Sequence, residues 1–296
     1  MPNSRLWYSI ISLFVAFALL FTIGLIYQKH QQPHSQPPKN GQQDDQNGGN
    51  DRHNKQDNRE NKDQNQDKNN DKNKNQDQRK SENSRLLWGV DTASRVTESF
   101  YQCVTDHYGK PDVWGRYMET TEDVSLGLTQ EEVSLIHKKD GKILLLYNHL
   151  DSATGYEDGK AEAETAISFA KELGVPEGTA LFADIEPVFP VDADFIRGWI
   201  EKMASSPYKA GFYGDFSKGS SLRKAYHSAI EETEHKPVLW SFQPRIGITG
   251  KEDAPNDFDP AAPKSAKTLA WQYGVSGEQC NIDTDLAVSK ILKYLW

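Results

Sequence analysis

The chain has 296 residues with 34 basic and 43 acidic side chains, a net charge of -9 that conceals three unlike segments. Residues 1–30 hold no acid and two strong bases, Arg5 and Lys29, and residues 31–83 hold ten of each sign, which leaves 22 bases against 33 acids, a charge of -11, on residues 84–296. That excess speaks against a nucleic-acid ligand, whose binding is driven by basic clusters releasing counterions, and favours a neutral or cationic one.

From Leu6 to Tyr27 the run LWYSIISLFVAFALLFTIGLIY carries no charge. At helical rise it reaches ~33 Å, enough to cross a hydrocarbon core. Trp7, Tyr8 and Tyr27 stand where aromatic rings prefer the membrane interface. The run exceeds a signal-peptide core and no A-x-A site follows it, so residues 1–30 are expected to form an N-terminal transmembrane anchor with the lipid bilayer as partner.

Between Gln31 and Asn83 there is no Ala, Val, Ile, Leu, Met, Phe, Trp, Tyr or Cys. Nothing there offsets the entropy cost of ordering, so residues 31–84 are expected to be a disordered polar linker. Such a spacer suits a domain working away from the bilayer, which predicts a single-pass protein with its C-terminal domain extracytoplasmic.

Residues 85–296 read as one domain. Eight apolar or β-branched runs recur as strands: 86–91, 113–118, 142–148, 180–186, 210–216, 237–243, 268–274 and 281–287. Helices are expected between the first six. One starts at Thr129 with Glu132 completing a capping box, one spans 159–173 and stops at Gly174, and one spans 220–232. Residues 244–267, with four Pro and two Gly, read as an irregular loop. The pattern predicts an α/β, TIM-like barrel of five β/α units followed by three strands. Cys103 and Cys280 lie far apart in sequence; they either pair across the closed barrel or sit as two separate buried thiols. No zinc-type spacing occurs, so neither metal nor cofactor is implied.

Functional groups in such barrels project from the C-terminal ends of strands. Asp91 ends the first strand, Asp184 and Glu186 end the fourth, Asp215 follows the fifth, and Asp283 and Asp285 lie on the last. Asp184 and Glu186 are two apart, so both leave one face of a strand while Ile185 points to the helices. Crowded carboxylates raise the pKa of one member and leave a group able to protonate a leaving oxygen. Tyr147, Tyr213, Trp240, Trp271, Gln272 and Tyr273 lie at other strand ends as candidates for holding a sugar, with His149 as a further site candidate.

WGVDTAS (88–94), LFADIEP (181–187), GFYGDF (211–216), LWSFQ (239–243), AWQYG (270–274) and NIDTDLA (281–287) follow the order found in glycoside hydrolase family 25 lysozymes. They resemble still more closely their relatives, the glycoside-hydrolase-like domain family also called domain of unknown function 1906. The resemblance implies the barrel counted above and a peptidoglycan or related cell-wall glycan as partner. The lysozymes cleave the β-1,4 bond between N-acetylmuramic acid and N-acetylglucosamine. Residue by residue it implies Glu186 as general acid, Asp184 as its paired carboxylate, and Asp91 and Asp283 as the acids of the first and last strands. Asp285 departs from the pattern, standing where those lysozymes usually carry Asn. The activity expected is hydrolysis of O-glycosidic bonds; the rival from another class is a catalytically inactive glycan-binding or scaffolding module.

Overall fold

The computed structural model describes residues 85–296. The expected anchor and linker lie outside them; among the described residues no helix is long and apolar enough to cross a membrane.

Eight strands close a barrel in sequence order: β1 (Leu86–Asp91), β2 (Val113–Tyr117), β3 (Lys142–Tyr147), β4 (Ala180–Ile185), β5 (Lys209–Gly214), β6 (Val238–Phe242), β7 (Lys267–Gly274) and β8 (Asp283–Val288). Five helices join the first six: α1 (Glu98–Tyr108), α2 (Gln130–Lys138), α3 (Tyr156–Glu172), α4 (Ala193–Ala204) and α5 (Ser221–Ile230). Each crossover helix, and after β6 the long 243–266 connection, brings the chain back to start the next strand in the same direction, so β1 to β7 are parallel neighbours. Only residues 275–282 separate β7 from β8. A parallel return needs a dozen residues or more, so β8 runs antiparallel to both β7 and β1. The start of β8, not its end, therefore lies on the rim where the other strands finish.

Local sequence sets the helix ends. Thr129 and Glu132 form the expected capping box on α2. Gly174 takes the left-handed conformation after α3, with Gly174 N–H on Lys171 O and Val175 N–H on Ala170 O. Where α3 meets α4, a Cβ on Gly159 would strike the Phe195 carbonyl and one on Gly198 the Tyr156 carbonyl, so both glycines are needed for the backbones to approach.

Two apolar layers follow the strand alternation. Outward residues such as Trp88, Trp114, Leu145, Ala183, Phe212 and Trp271 pack under the helices, while Leu87, Val113, Leu144, Phe182, Val238 and Trp240 fill the barrel. After β8 a 3-10 segment, Ser289–Tyr294, sends Ile291 and Leu295 into the interior cluster, and Trp296 pairs with Ile143 through both backbone groups at 2.9 and 3.0 Å. The tail thus plugs the end opposite the acids.

Arg116 points outward from β2 and is fully buried. Its guanidinium pairs with Glu132 Oε1 at 3.0 Å, donates to Leu126 O at 2.8 Å and also to Thr92 O. Glu132 accepts in addition from Val96 N at 2.8 Å. One ion pair therefore ties α2 to the segments that leave β1 and β2 at the rim. Cys103 of α1 is disulfide-bonded to Cys280, which fixes the β7–β8 turn to the first helix.

Candidate active site

On β4, Ala180, Phe182 and Asp184 face the axis, while Leu181, Ala183 and Ile185 face the helices. Glu186 follows the strand, so Asp184 is buried and Glu186 half-buried at the mouth. Asp91 ends β1 with the inward parity of Leu87, and the antiparallel ladder sets Asp283 opposite Asp91 and Asp285 opposite Gly89. Tyr213 on β5 stands beside Asp184 in register. Five carboxyls from three strands thus meet at one end of the barrel.

Their supports come from inside. Gln272 Nε2 donates to Asp91 Oδ2 at 2.7 Å and to Asp283 Oδ2 at 3.2 Å, while Gln272 Oε1 accepts from the Tyr213 hydroxyl at 2.7 Å. That pattern fixes the amide, since the flipped form would aim an acceptor at two carboxylates. Trp240 Nε1 donates to Asp285 Oδ1 at 2.9 Å, and its ring meets Tyr213 edge-on with centroids 4.8 Å apart. Gly115 makes room for it: a Cβ there would stand 2.8 Å from Trp240 Cη2. Ser276 N–H, in the turn held by the disulfide, donates to Asp283 Oδ1 at 2.7 Å.

Burial and mutual repulsion govern the charges. Burial pushes Asp91 up to about 6, against the opposing pull of its hydrogen bonds from Gln272 and Asp285 and of Arg116. Burial and then the Asp91 charge raise Glu186 to about 7 and Asp283 to about 8. Asp184 and Asp285 are displaced well above the carboxylate range, chiefly by burial. Burial, the Asp91 charge and a hydrogen bond with Asp91 all favour the protonated form of Asp285, whose Oδ1 accepts from Trp240. Glu186 and Asp283 both combine partial exposure with a proton retained to about neutral pH, the combination a general acid needs.

Residues 101–286 match the family model described as Rv2525c-like, glycoside hydrolase-like domain. The chain belongs to this family. Among solved structures, an uncharacterized B. stearothermophilus protein shares 40% identity with the chain over 71% of its length and 100% of that protein's, with a TM-score of 0.68. The catalytic domain of endolysin ply40 from bacteriophage P40 of Listeria monocytogenes aligns at 14% identity over 71% of this chain and 98% of its own, with a TM-score of 0.45. The modular autolysin LytC from Streptococcus pneumoniae aligns at 13% over 68% of this chain and 46% of its own, with a TM-score of 0.43. No curated protein matches in sequence.

Within this glycoside hydrolase-like domain the sequence candidates separate by strand parity. Asp91, Asp184, Glu186 and Asp283 converge, and Tyr213, Trp240 and Gln272 form the floor beneath them. Tyr147, Trp271 and Tyr273 correct the expectation, because their side chains lie on the outer face of the strands. Tyr147 donates its hydroxyl to Glu162 of α3, Trp271 Nε1 donates to Gln243 O at 3.0 Å, and the Tyr273 hydroxyl accepts from Trp88 Nε1 at 2.9 Å. His149 is an exposed neighbour of Glu162 at 3.9 Å, on the α3 side, and Asp215 Oδ1 accepts from Ser217 N–H in the turn after β5. Tyr117 is the site member that the sequence reading lacks: it shares the inward face of Val113 and Gly115 and feels the charges of Asp184, Asp91, Glu186 and Asp283. Asp285, read from the sequence as an acid of the last strand without a role, shares the parity of Asp283. Counting alternate residues along β2 finds Tyr117. Cys103, His107 and Cys280 bring possible metal-ligand atoms within 4.8 Å of one another, but the two sulfurs are bonded together.

Proposed function

We propose that the domain is a glycosidase of the cell envelope that hydrolyses peptidoglycan or a related cell-wall glycan, with Glu186 as general acid. The observation that carries this reading is the pairing of Glu186, half-buried and protonated to about pH 7, with buried Asp184 one alternation earlier on the same strand. Glu186 would give its proton to the glycosidic oxygen as that bond breaks. A water adds to the freed sugar carbon and gives a proton to a carboxylate of the site, and on the way positive charge develops on the sugar ring. That charge draws Asp184, Asp91 and Asp283 toward ionisation, so crowding that opposes their charge in the resting site turns into attraction in the transition state. Asp91 and Asp283 are held for that role by Gln272, and Asp91 also by its hydrogen bond with Asp285.

The chain is further inferred to be anchored by residues 6–27 with the barrel outside the cytoplasm. The uncharged run and the apolar-free spacer support this, as does the Cys103–Cys280 disulfide, a bond that persists in oxidising compartments. The test of the activity is release of soluble fragments from purified cell walls by the full chain in detergent. Walls that stay intact while the protein binds them would turn the reading into a glycan-binding module.

A further inference from the structure

Among the described residues, the mouth of the barrel holds carboxyls and no basic partner for most of them. The charges acting on Asp184 come from Glu186 and Asp91, and those acting on Glu186 and Asp283 also come from acids. Arg116 acts on Asp91, but it faces outward from β2 and is occupied by Glu132. A second observation is independent of the charge count: Asp184, 5% exposed, has its Oδ1 buried with no hydrogen-bond partner. A buried carboxyl without a partner is costly, so a ligand that brings a donor or a positive charge gains by supplying one.

The nature of that ligand follows from the spacing. A divalent cation takes oxygen ligands at about 2.0–2.6 Å, which brings their atoms close to one another. Among the described residues the grouping of three or more possible ligand atoms that meets such a spacing is Cys103, His107 and Cys280, not the acids of the mouth. The carboxyls stand at the mouth on the same inward face as Tyr117 and Tyr213. Acids beside aromatic rings suit an organic ammonium on a hydroxyl-bearing ring, which is held by charge, hydrogen bonds and cation–π contact together.

We propose that the sugar bound at this mouth carries a free ammonium, an N-unsubstituted hexosamine of a de-N-acetylated glycan, seated against Asp184, whose carboxyl it draws toward ionisation. This rests on the glycan reading above and adds the substrate class to it. An acetylated nitrogen keeps one N–H donor but brings no charge.

The experiment titrates the full chain in detergent with glucosamine hexamer and with N-acetylglucosamine hexamer, in EDTA at about pH 6, where a sugar amine is protonated. The glucosamine hexamer should bind about tenfold more tightly, or better, which is the effect of one favourable charge pair. The ratio of the two affinities should fall toward one in Asp184→Asn, and stay unchanged in Asp194→Asn, which alters an exposed acid on α4. Equal binding of the two hexamers, or tighter binding of the acetylated one, overturns the proposal and leaves the glycosidase reading standing. A preference that persists in Asp184→Asn also overturns it, because the overall negative charge would then be its source. Binding of neither hexamer removes this proposal, and intact walls in the release assay are what would remove the glycosidase reading itself.

Discussion

Gln272 on β7 donates from one amide nitrogen to Asp91 on β1 at 2.7 Å and to Asp283 on β8 at 3.2 Å, so a neutral side chain holds two acids of the mouth together. Gln272→Glu keeps the shape and replaces the donor by another carboxyl. The variant should lose about 1–3 kcal/mol of stability, the cost of leaving buried polar groups unsatisfied. The loss should grow as pH rises and the added carboxyl ionises. Urea unfolding at two pH values measures it, and a loss that is the same at both would count against the network.

Stability should fall as pH rises through the site's titration range. Asp91, Glu186 and Asp283 have folded-state values of about 6, 7 and 8, all above the unfolded carboxylate values of 3.8 to 4.5. Between these limits the native state binds more protons than the unfolded chain, so unfolding becomes easier with increasing pH. Thermal melting of the full chain should give a higher Tm at pH 5 than at pH 8, with a smaller difference in Asp283→Asn. A Tm that rises over the same interval would contradict the assigned directions.

Much of the fold was legible because each strand is a short apolar run and each helix carries a readable stop or cap. Thr129 with Glu132, and Gly174, gave their helix ends directly. The direction of β8 was not weighed, although the short 275–282 connection decides it. The acids were found because each ends or begins a strand. The aromatic candidates were chosen by position along the strand without regard to face, so Trp271 and Tyr273 entered with Gln272 although consecutive residues point to opposite sides. Tyr117 escaped notice because β2 ends in a tyrosine and no acid marked it.

Arg116→Met should be severely destabilising. It leaves Glu132 buried beside an apolar chain, and removing one partner of a buried ion pair costs about 3–5 kcal/mol. Arg116→Met combined with Glu132→Gln should recover part of that loss. A double-mutant cycle in urea measures the coupling, and independent, additive losses would show that the pair does not act as a unit.

The disulfide closes a sequence separation of 177 residues, so its removal should cost about 2–5 kcal/mol. Cys103→Ala with Cys280→Ala should lower the urea midpoint and also weaken turnover, since Ser276 in the same turn steadies Asp283. The measurement is the midpoint together with wall-fragment release; a variant with unaltered stability would dissociate the bond from the fold.

The most direct measurement compares the full chain with Glu186→Gln on purified cell walls, scoring soluble fragment release and wall binding in the same preparation. Loss of a general acid should reduce release by ~10²-fold or more while binding is kept. Release by the unaltered chain should also decline above about pH 7, as Glu186 gives up its proton. Unchanged release by Glu186→Gln would contradict the account.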